Sequence, residues 1–263
     1  MMVVHMYEND PLAEEKQITL NVKGIVFDID DTLYRRDLPY EMALDTFFPR
    51  GMPFTSAQFS ERFRARGDEV FEPSERGEIT MDEMYIYRGT KAFADLGITV
   101  SAREALRFQK IYAAAQRQIR PTAKVVRMLK KLCSREDVRI GILSNGGSEH
   151  QRRKLSDLGL TNFFKKDRVV VSGDYGIMKP DPRIFDKTAE VMDLKPSELL
   201  YVGDNYELDV VGAKAAGWKT LWYNRRRIKA PWKQKGRVQD AAALPIPDGV
   251  VFTEEEMCHD LTD

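Results

Sequence analysis

Cysteine is scarce: the 263 residues hold two, Cys133 and Cys258. So few thiols build neither a disulfide scaffold nor a metal-ligand spacing, and a reducing, cytoplasmic location is expected. Net charge is also missing. Lys+Arg and Asp+Glu both number 41, which leaves no overall field to attract nucleic acid or an anionic membrane. No window reaches the ~18 uncharged apolar residues that a membrane span requires. Met1 to Glu15 carries Glu8, Asp10, Glu14 and Glu15 and lacks an apolar stretch long enough for a signal peptide. A G-x-x-x-x-G-K-[S/T] loop is absent, which excludes a P-loop kinase, and no G-x-G-x-x-G follows a strand, which excludes a Rossmann dehydrogenase. The chain has no internal repeat and no low-complexity tract.

What it does have is 43% hydrophobic residues, enough for a core, and a length suited to one domain plus an insertion. Its focal stretch is Lys23-Gly24-Ile25-Val26-Phe27-Asp28-Ile29-Asp30-Asp31-Thr32-Leu33. Gly24 to Phe27 is short, apolar and rich in β-formers, and reads as a buried strand. The acids follow at its carboxyl end, where open α/β sheets form their ligand crevice. Asp28 and Asp30 stand two residues apart, so an extended backbone points both carboxylates to one side. Two such acids repel unless a cation intervenes. The alternative for this stretch alone is a solvated acidic turn.

Further along, the spacing changes with position. Residues 1–20 read as an N-terminal extension with no assigned role. Tyr34 to Asp37 with Pro39 reads as a linker. From Tyr40 to about Arg120 the apolar spacing is three and four, the signature of helices. Glu41 to Phe48 is one, Thr55-Ser56 starts a second toward Val70, and Thr80 caps a third that stops at Gly97. Ser101 and Glu104 form a capping box for a fourth. Alternation of strand and helix resumes at Pro121. A helix is expected over Thr122 to Leu132 and strands over Val138 to Leu143, Arg168 to Val171, Leu199 to Val202, Lys219 to Tyr223 and Gly249 to Phe252. Helices are expected over Ser148 to Leu158, Pro182 to Met192 and Glu207 to Ala216. Such alternation implies right-handed crossovers and a doubly wound parallel sheet. The basic stretch Arg225 to Lys235 reads as a solvated face.

Four strand ends or following loops therefore carry polar clusters: Asp28-x-Asp30-x-Thr32, Ser144-Asn145-Gly146, Lys179-Pro180, and Gly203-Asp204 with Asp209. In this order they resemble the motifs of the haloacid dehalogenase-like (HAD) phosphohydrolases, over about residues 22–224. The resemblance implies a Rossmann-like doubly wound parallel sheet core with an inserted all-helical cap domain. The expected division is 1–20 extension, 21–35 and 120–263 core, and 36–119 cap. Hinges fall at Tyr34 to Asp37 and at Arg120-Pro121. Within the cap, Arg76, Tyr85, Tyr87 and Arg88 are candidates to face a substrate, or else core and surface residues.

Phosphoryl transfer needs an in-line nucleophile, neutralised phosphate oxygens and a proton for the leaving alcohol. Asp28 is the expected nucleophile, through an aspartyl-phosphate, and Asp30 the acid and then the base. Ser144, Asn145 through its backbone N–H, and Thr32 form the expected phosphate-side set, with Lys179 supplying positive charge. Mg²⁺ is the expected cofactor, with Mn²⁺ able to use the same oxygen-rich site. Its ligands would be Asp28, Asp204 and, by resemblance, the Asp30 carbonyl. Asp209 either orients Lys179 or a metal-bound water, or is an ordinary acid in the first turn of a helix.

Haloacid dehalogenases resemble this fold but lack the second aspartate of the first motif, so Asp30 and Asp204 favour phosphate chemistry. The expected function is a phosphatase acting on a small phosphomonoester. Gly203 to Asp209, Gly212-Ala213, Ala216-Gly217 and Trp222-Tyr223-Asn224 look like the branch of pyrimidine 5′-nucleotidases and acylneuraminate-9-phosphatase, which implies a nucleoside monophosphate or a sugar phosphate. The alternatives are a sugar-phosphate phosphomutase and a silent protein that binds a phosphometabolite.

Overall fold

The computed structural model of the chain describes residues 2–6, 16–70, 73–74, 76–233 and 244–262, and for 2–6 and 16–20 the backbone alone. It divides into two compact units, Met1–Arg35 with Arg120–Asp263, and Arg36–Ile119.

The smaller unit is helical among its described residues: α1 (Leu38–Phe47), α2 (Ser56–Asp68), α3 (Met81–Ala94) and α4 (Ala102–Gln118). Three of these start on full capping boxes, Thr55 with Gln58, Thr80 with Glu83 and Ser101 with Glu104. Each box satisfies amide donors that a helix start leaves open. Helix α1 begins sooner than its apolar pattern implies. Pro39 lies in its first turn rather than in a linker, where the missing N–H costs nothing. The core of this unit is aromatic. Phe59 stands 4.6 Å from Phe93 and 5.1 Å from Phe108 between ring centroids. The cap candidates are engaged within this unit. Arg76 pairs with Glu78 at 2.6 Å, Tyr87 donates to Glu69 at 2.7 Å, and the Arg88 guanidinium lies over Phe63 and Tyr85.

The larger unit contains β1 (Met2–Met6), β2 (Lys16–Leu20), β3 (Gly24–Phe27), α5 (Ala123–Cys133), β4 (Arg139–Ser144), α6 (Ser148–Asp157) and β5 (Val169–Val171). It continues with α7 (Pro182–Met192), β6 (Leu199–Gly203), α8 (Gly212–Ala215), β7 (Lys219–Tyr223), β8 (Gly249–Val251) and α9 (Glu254–Thr262). The strands form one sheet in the order β2-β1-β8-β7-β6-β3-β4-β5. Neighbours run parallel except for the antiparallel pair β1 and β2. Strands β3, β5, β6 and β8 are buried at every residue, as a parallel sheet covered on both faces requires.

Two further stretches differ from the sequence expectation. The stretch read as an extension supplies β1 and β2, which lengthen the sheet beyond β8. Its strand character rests on Val3, Val4 and the alternation Gln17-Ile18-Thr19-Leu20, separated by the acid-rich segment 7–15, which lies outside the described residues. The helix expected over Glu207 to Ala216 starts instead as a π-helical turn, Tyr206–Val211. Among the described residues no helix is long and apolar enough to cross a membrane.

Register positions the motifs. Phe27 of β3 pairs with Ile142 of β4 on one side and with Val202 of β6 on the other. Asp28 and Asp204 therefore follow β3 and β6, and Ser144 ends β4, on adjacent strands at the carboxyl edge of the sheet, the place where parallel sheets bind ligands.

Candidate active site

Asp28 follows the last residue of β3 and is 6% exposed. Its backbone N–H donates to the Val202 carbonyl at 2.9 Å, which ties the nucleophile candidate to β6. Lys179 arrives from the loop before α7 and is 3% exposed. Its ammonium donates to Asp28 Oδ1 at 2.9 Å, Asp209 Oδ1 at 2.7 Å and Tyr201 Oη at 2.8 Å. An ammonium has three donors, and all three are used. Burial alone would lower the Lys179 pKa, but Asp209 and Asp28 outweigh it and hold the value well above that of an ordinary lysine.

The loop that delivers Lys179 is held by Asn145. Its side-chain amide donates to the Lys179 carbonyl at 3.0 Å, and its Oδ1 accepts from the Lys179 N–H at 2.9 Å. The Asn145 side chain is thus occupied in placing the lysine. Ser144, at the end of β4, is buried. Thr32 is buried too, and its hydroxyl has no hydrogen-bond partner among the described residues, so it stands apart from the Lys179 network.

Asp209 sits in the π-helical turn, a wider turn that often marks functional sites. Its Oδ2 accepts from the Asn205 N–H at 2.9 Å while Oδ1 takes Lys179. Gly203 makes room for this: a Cβ there would lie 2.5 Å from Asp209 Cγ. Asp209 therefore contacts both Lys179 and the first turn of its own element.

Charge in the cluster is unbalanced. The Asp28 carboxyl is raised to about 6, first by burial, with Lys179 opposing and Asp209 and Asp30 adding to the rise. The Asp204 carboxyl is raised to about 7, first by burial, then by Asp28, Asp209 and Asp31, with Arg226 opposing. Asp30 faces a different cation, accepting from Lys154 and from the Tyr34 hydroxyl. Among the described residues no group of three or more His, Cys, Asp or Glu side chains is arranged to hold a metal ion. A set of two carboxylates and a backbone carbonyl is smaller than that.

Several participants are absent from the sequence expectation. Tyr201 sits within an apolar strand and reads there as core. Its hydroxyl accepts from Lys179 and donates to the Leu143 carbonyl at 2.7 Å. Arg225 and Arg226 open the basic stretch read as a solvated face. Arg225 instead donates to Asp31 at 2.8 Å, and Arg226 to Asp31 at 3.1 Å and Asp204 at 3.3 Å. Asp31 has φ 61°, a left-handed conformation that Asp tolerates better than most side chains. Lys235, at the far end of that stretch, lies outside the described residues.

Replacing Tyr201 with Phe removes one acceptor from Lys179 and one donor from Leu143, both buried. The expected cost is about 1–3 kcal/mol of stability, with activity reduced less than by loss of Lys179 itself. Denaturant unfolding and steady-state kinetics of the variant check this.

Fold and cluster together place buried ionisable side chains at the carboxyl edge of a parallel sheet. The chain belongs to the haloacid dehalogenase-like hydrolase family, whose pattern matches residues 22–217. The glyceraldehyde 3-phosphate phosphatase of Methanothermobacter thermautotrophicus is 29% identical over 213 residues, 80% of this chain and 88% of that protein. The pyrimidine 5′-nucleotidase YjjG of Escherichia coli is 28% identical over 209 residues, 79% of this chain and 88% of the relative, a member of the branch expected from the sequence. Among solved structures, the magnesium-bound putative HAD-hydrolase YfnB of Bacillus subtilis superposes with a TM-score of 0.58 at 22% identity, covering 92% of this chain and 99% of its own. At that identity the likeness speaks to the fold.

Proposed function

We propose that the protein is a Mg²⁺-dependent phosphatase that hydrolyses a small phosphomonoester, a nucleoside monophosphate or a sugar phosphate, through an aspartyl-phosphate on Asp28. The observation that carries this reading is the buried Lys179 ammonium, bonded at once to Asp28 and Asp209. It holds one carboxylate at a strand end, and a cation there supports charge neutralisation of an incoming phosphate. Asp28 attacks phosphorus and the bond to the leaving oxygen breaks, with Asp30 giving that oxygen a proton. Asp30 then takes a proton from water as the water attacks the same phosphorus, which frees Asp28 and inorganic phosphate. The Ser144 hydroxyl and the Asn145 N–H hold phosphate oxygens. Two relatives carry the names of phosphatases for a triose phosphate and for pyrimidine nucleotides, which supports the substrate class.

The residues fit a magnesium ion. The donors are hard oxygens, and the Asp28 and Asp204 carboxyls are both pushed upward by burial and by neighbouring carboxylates, an excess of negative charge that a cation relieves. Asp28, Asp204 and the Asp30 carbonyl would hold it. When bound it supplies neutralisation of phosphate charge. Phosphate release from a panel of nucleotides and sugar phosphates, with Mg²⁺ and with a chelator, tests the reading. Metal-dependent release from one class supports it, and silence across the panel from a well-folded protein counts against it.

The two raised carboxyls also give a pH signature. In the unfolded chain such groups ionise near 3.8, whereas the folded ones keep their protons to about 6 and about 7. Their contribution to metal-free stability is complete below the lower value and is lost as pH rises through the folded values. Mg²⁺ binds the ionised form, so its stabilising shift grows over the same range. The thermal shift on adding Mg²⁺ is expected to be larger at pH 8 than at pH 5.5; equal shifts at both contradict the assignment.

A further inference from the structure

Helix α6 begins directly after the Ser144 to Gly147 turn and carries three basic side chains in a row. Each goes to a different carboxylate. Arg152 pairs with Asp174, and Arg153 with Glu149 one turn back. Pairs of this exposed kind contribute little. Lys154 instead spans 124 positions of sequence to both oxygens of Asp30, at 2.9 and 2.8 Å. The two side chains are only 19% and 18% exposed. Solvation of a helix face does not account for a two-pronged, mostly buried contact with the first motif.

The aim of Lys154 follows from its neighbours on the helix. Gln151 is buried and donates its Nε2 to the Asn145 carbonyl at 2.9 Å. Leu155 is buried as well. Positions 151, 154 and 155 lie three and four apart, on one face, so the stripe that anchors α6 to the Asn145 turn also carries the lysine. Tyr34 approaches Asp30 locally. It donates its hydroxyl to Asp30 Oδ1, and the two residues form an isolated backbone bridge.

We propose that Lys154 is a positioning residue for proton transfer: from outside the four motifs, it fixes the rotamer of Asp30 so that the carboxyl addresses the leaving oxygen and then the attacking water. The proposal rests on the acid–base reading of Asp30 given above. Without such contacts an aspartate on a turn samples several staggered rotamers, and a donor displaced by about 1 Å loses much of its advantage. Tyr34 steadies the same carboxylate from the chain segment that follows it.

Two substrates with different needs for a proton test this. An alkyl phosphate expels a strongly basic alkoxide, which must be protonated, whereas p-nitrophenyl phosphate expels a stable phenolate, which need not be. In Lys154→Met, kcat on the alkyl phosphate is expected to fall about tenfold or more with KM little changed, while the first-turnover burst of nitrophenolate stays within about twofold of the parent. Lys154→Arg restores part of the alkyl-phosphate rate, and Tyr34→Phe gives a smaller loss of the same kind. Equal losses on both substrates with a lowered melting temperature overturn the proposal, because they describe a residue that only supports the fold. Unchanged alkyl-phosphate turnover overturns it too. Asp28→Asn separates the two levels. If that variant still hydrolyses both substrates, the catalytic reading falls and takes the Lys154 proposal with it. If it is inactive while Lys154→Met behaves as the parent, the Lys154 proposal alone fails.

Discussion

Asp28→Asn is expected to abolish turnover, by about 10³-fold or more, while the fold survives. The amide keeps the shape of the carboxylate and still offers an oxygen to Lys179, but it cannot form the acyl phosphate. Burial raises the Asp28 carboxyl to about 6, so at pH 8 the parent holds an anion that its surroundings disfavour. Without metal, the Asn variant should therefore melt no lower than the parent at that pH, and the Mg²⁺-induced shift should shrink, because one ligand is lost. Thermal melts with and without Mg²⁺ read both effects, and phosphate release reads the first. Retained phosphatase activity would remove Asp28 from the mechanism.

Lys179→Met is expected to damage both fold and function. Methionine fills a similar volume but leaves Asp28 and Asp209 without the ammonium that each now contacts. Breaking a buried ion pair by removing one partner costs about 3–5 kcal/mol, because an uncompensated charge stays behind. The penalty has a direction in pH. Lys179 opposes the upward shift of the Asp28 carboxyl; without it Asp28 takes up a proton more readily, so the deficit against the parent should be smaller at pH 5 than at pH 8. Activity is expected to fall as well, since Asp28 loses its ammonium partner. Chemical denaturation at both pH values, with the parent measured alongside, decides this. A variant as stable as the parent at pH 8 would mean that the ammonium does not neutralise the cluster.

The parts of this site legible in the sequence are those where a residue's type changes abruptly against its surroundings. Asp28 ends an apolar strand, Ser144 ends another, and Gly203-Asp204 ends a third; each break is visible because buried parallel strands are otherwise apolar throughout. The N-cap at Thr80 and the capping box at Ser101 were legible for a similar reason, since a hydroxyl just ahead of acids has a local job. Tyr201 was hidden because an aromatic residue in an apolar strand is core by default, and nothing local reveals that its hydroxyl meets Lys179. Lys154 was hidden in a basic run that resembles a solvated helix face. Arg225 and Arg226 were hidden likewise, since their partner Asp31 lies 194 and 195 positions away in sequence. Strands β1 and β2 were obscured by the acid-rich segment between them. Contacts made only by tertiary folding leave no periodic trace.

The aspartyl-phosphate is tested most directly by mixing enzyme, Mg²⁺ and substrate, quenching in acid within a single turnover, and locating any phosphoryl group by peptide mass spectrometry. An aspartyl-phosphate mechanism leaves one phosphoryl group on the peptide that carries Asp28, lost in Asp28→Asn. Phosphate released with no labelled enzyme at any quench time, or a label on another residue, would contradict it.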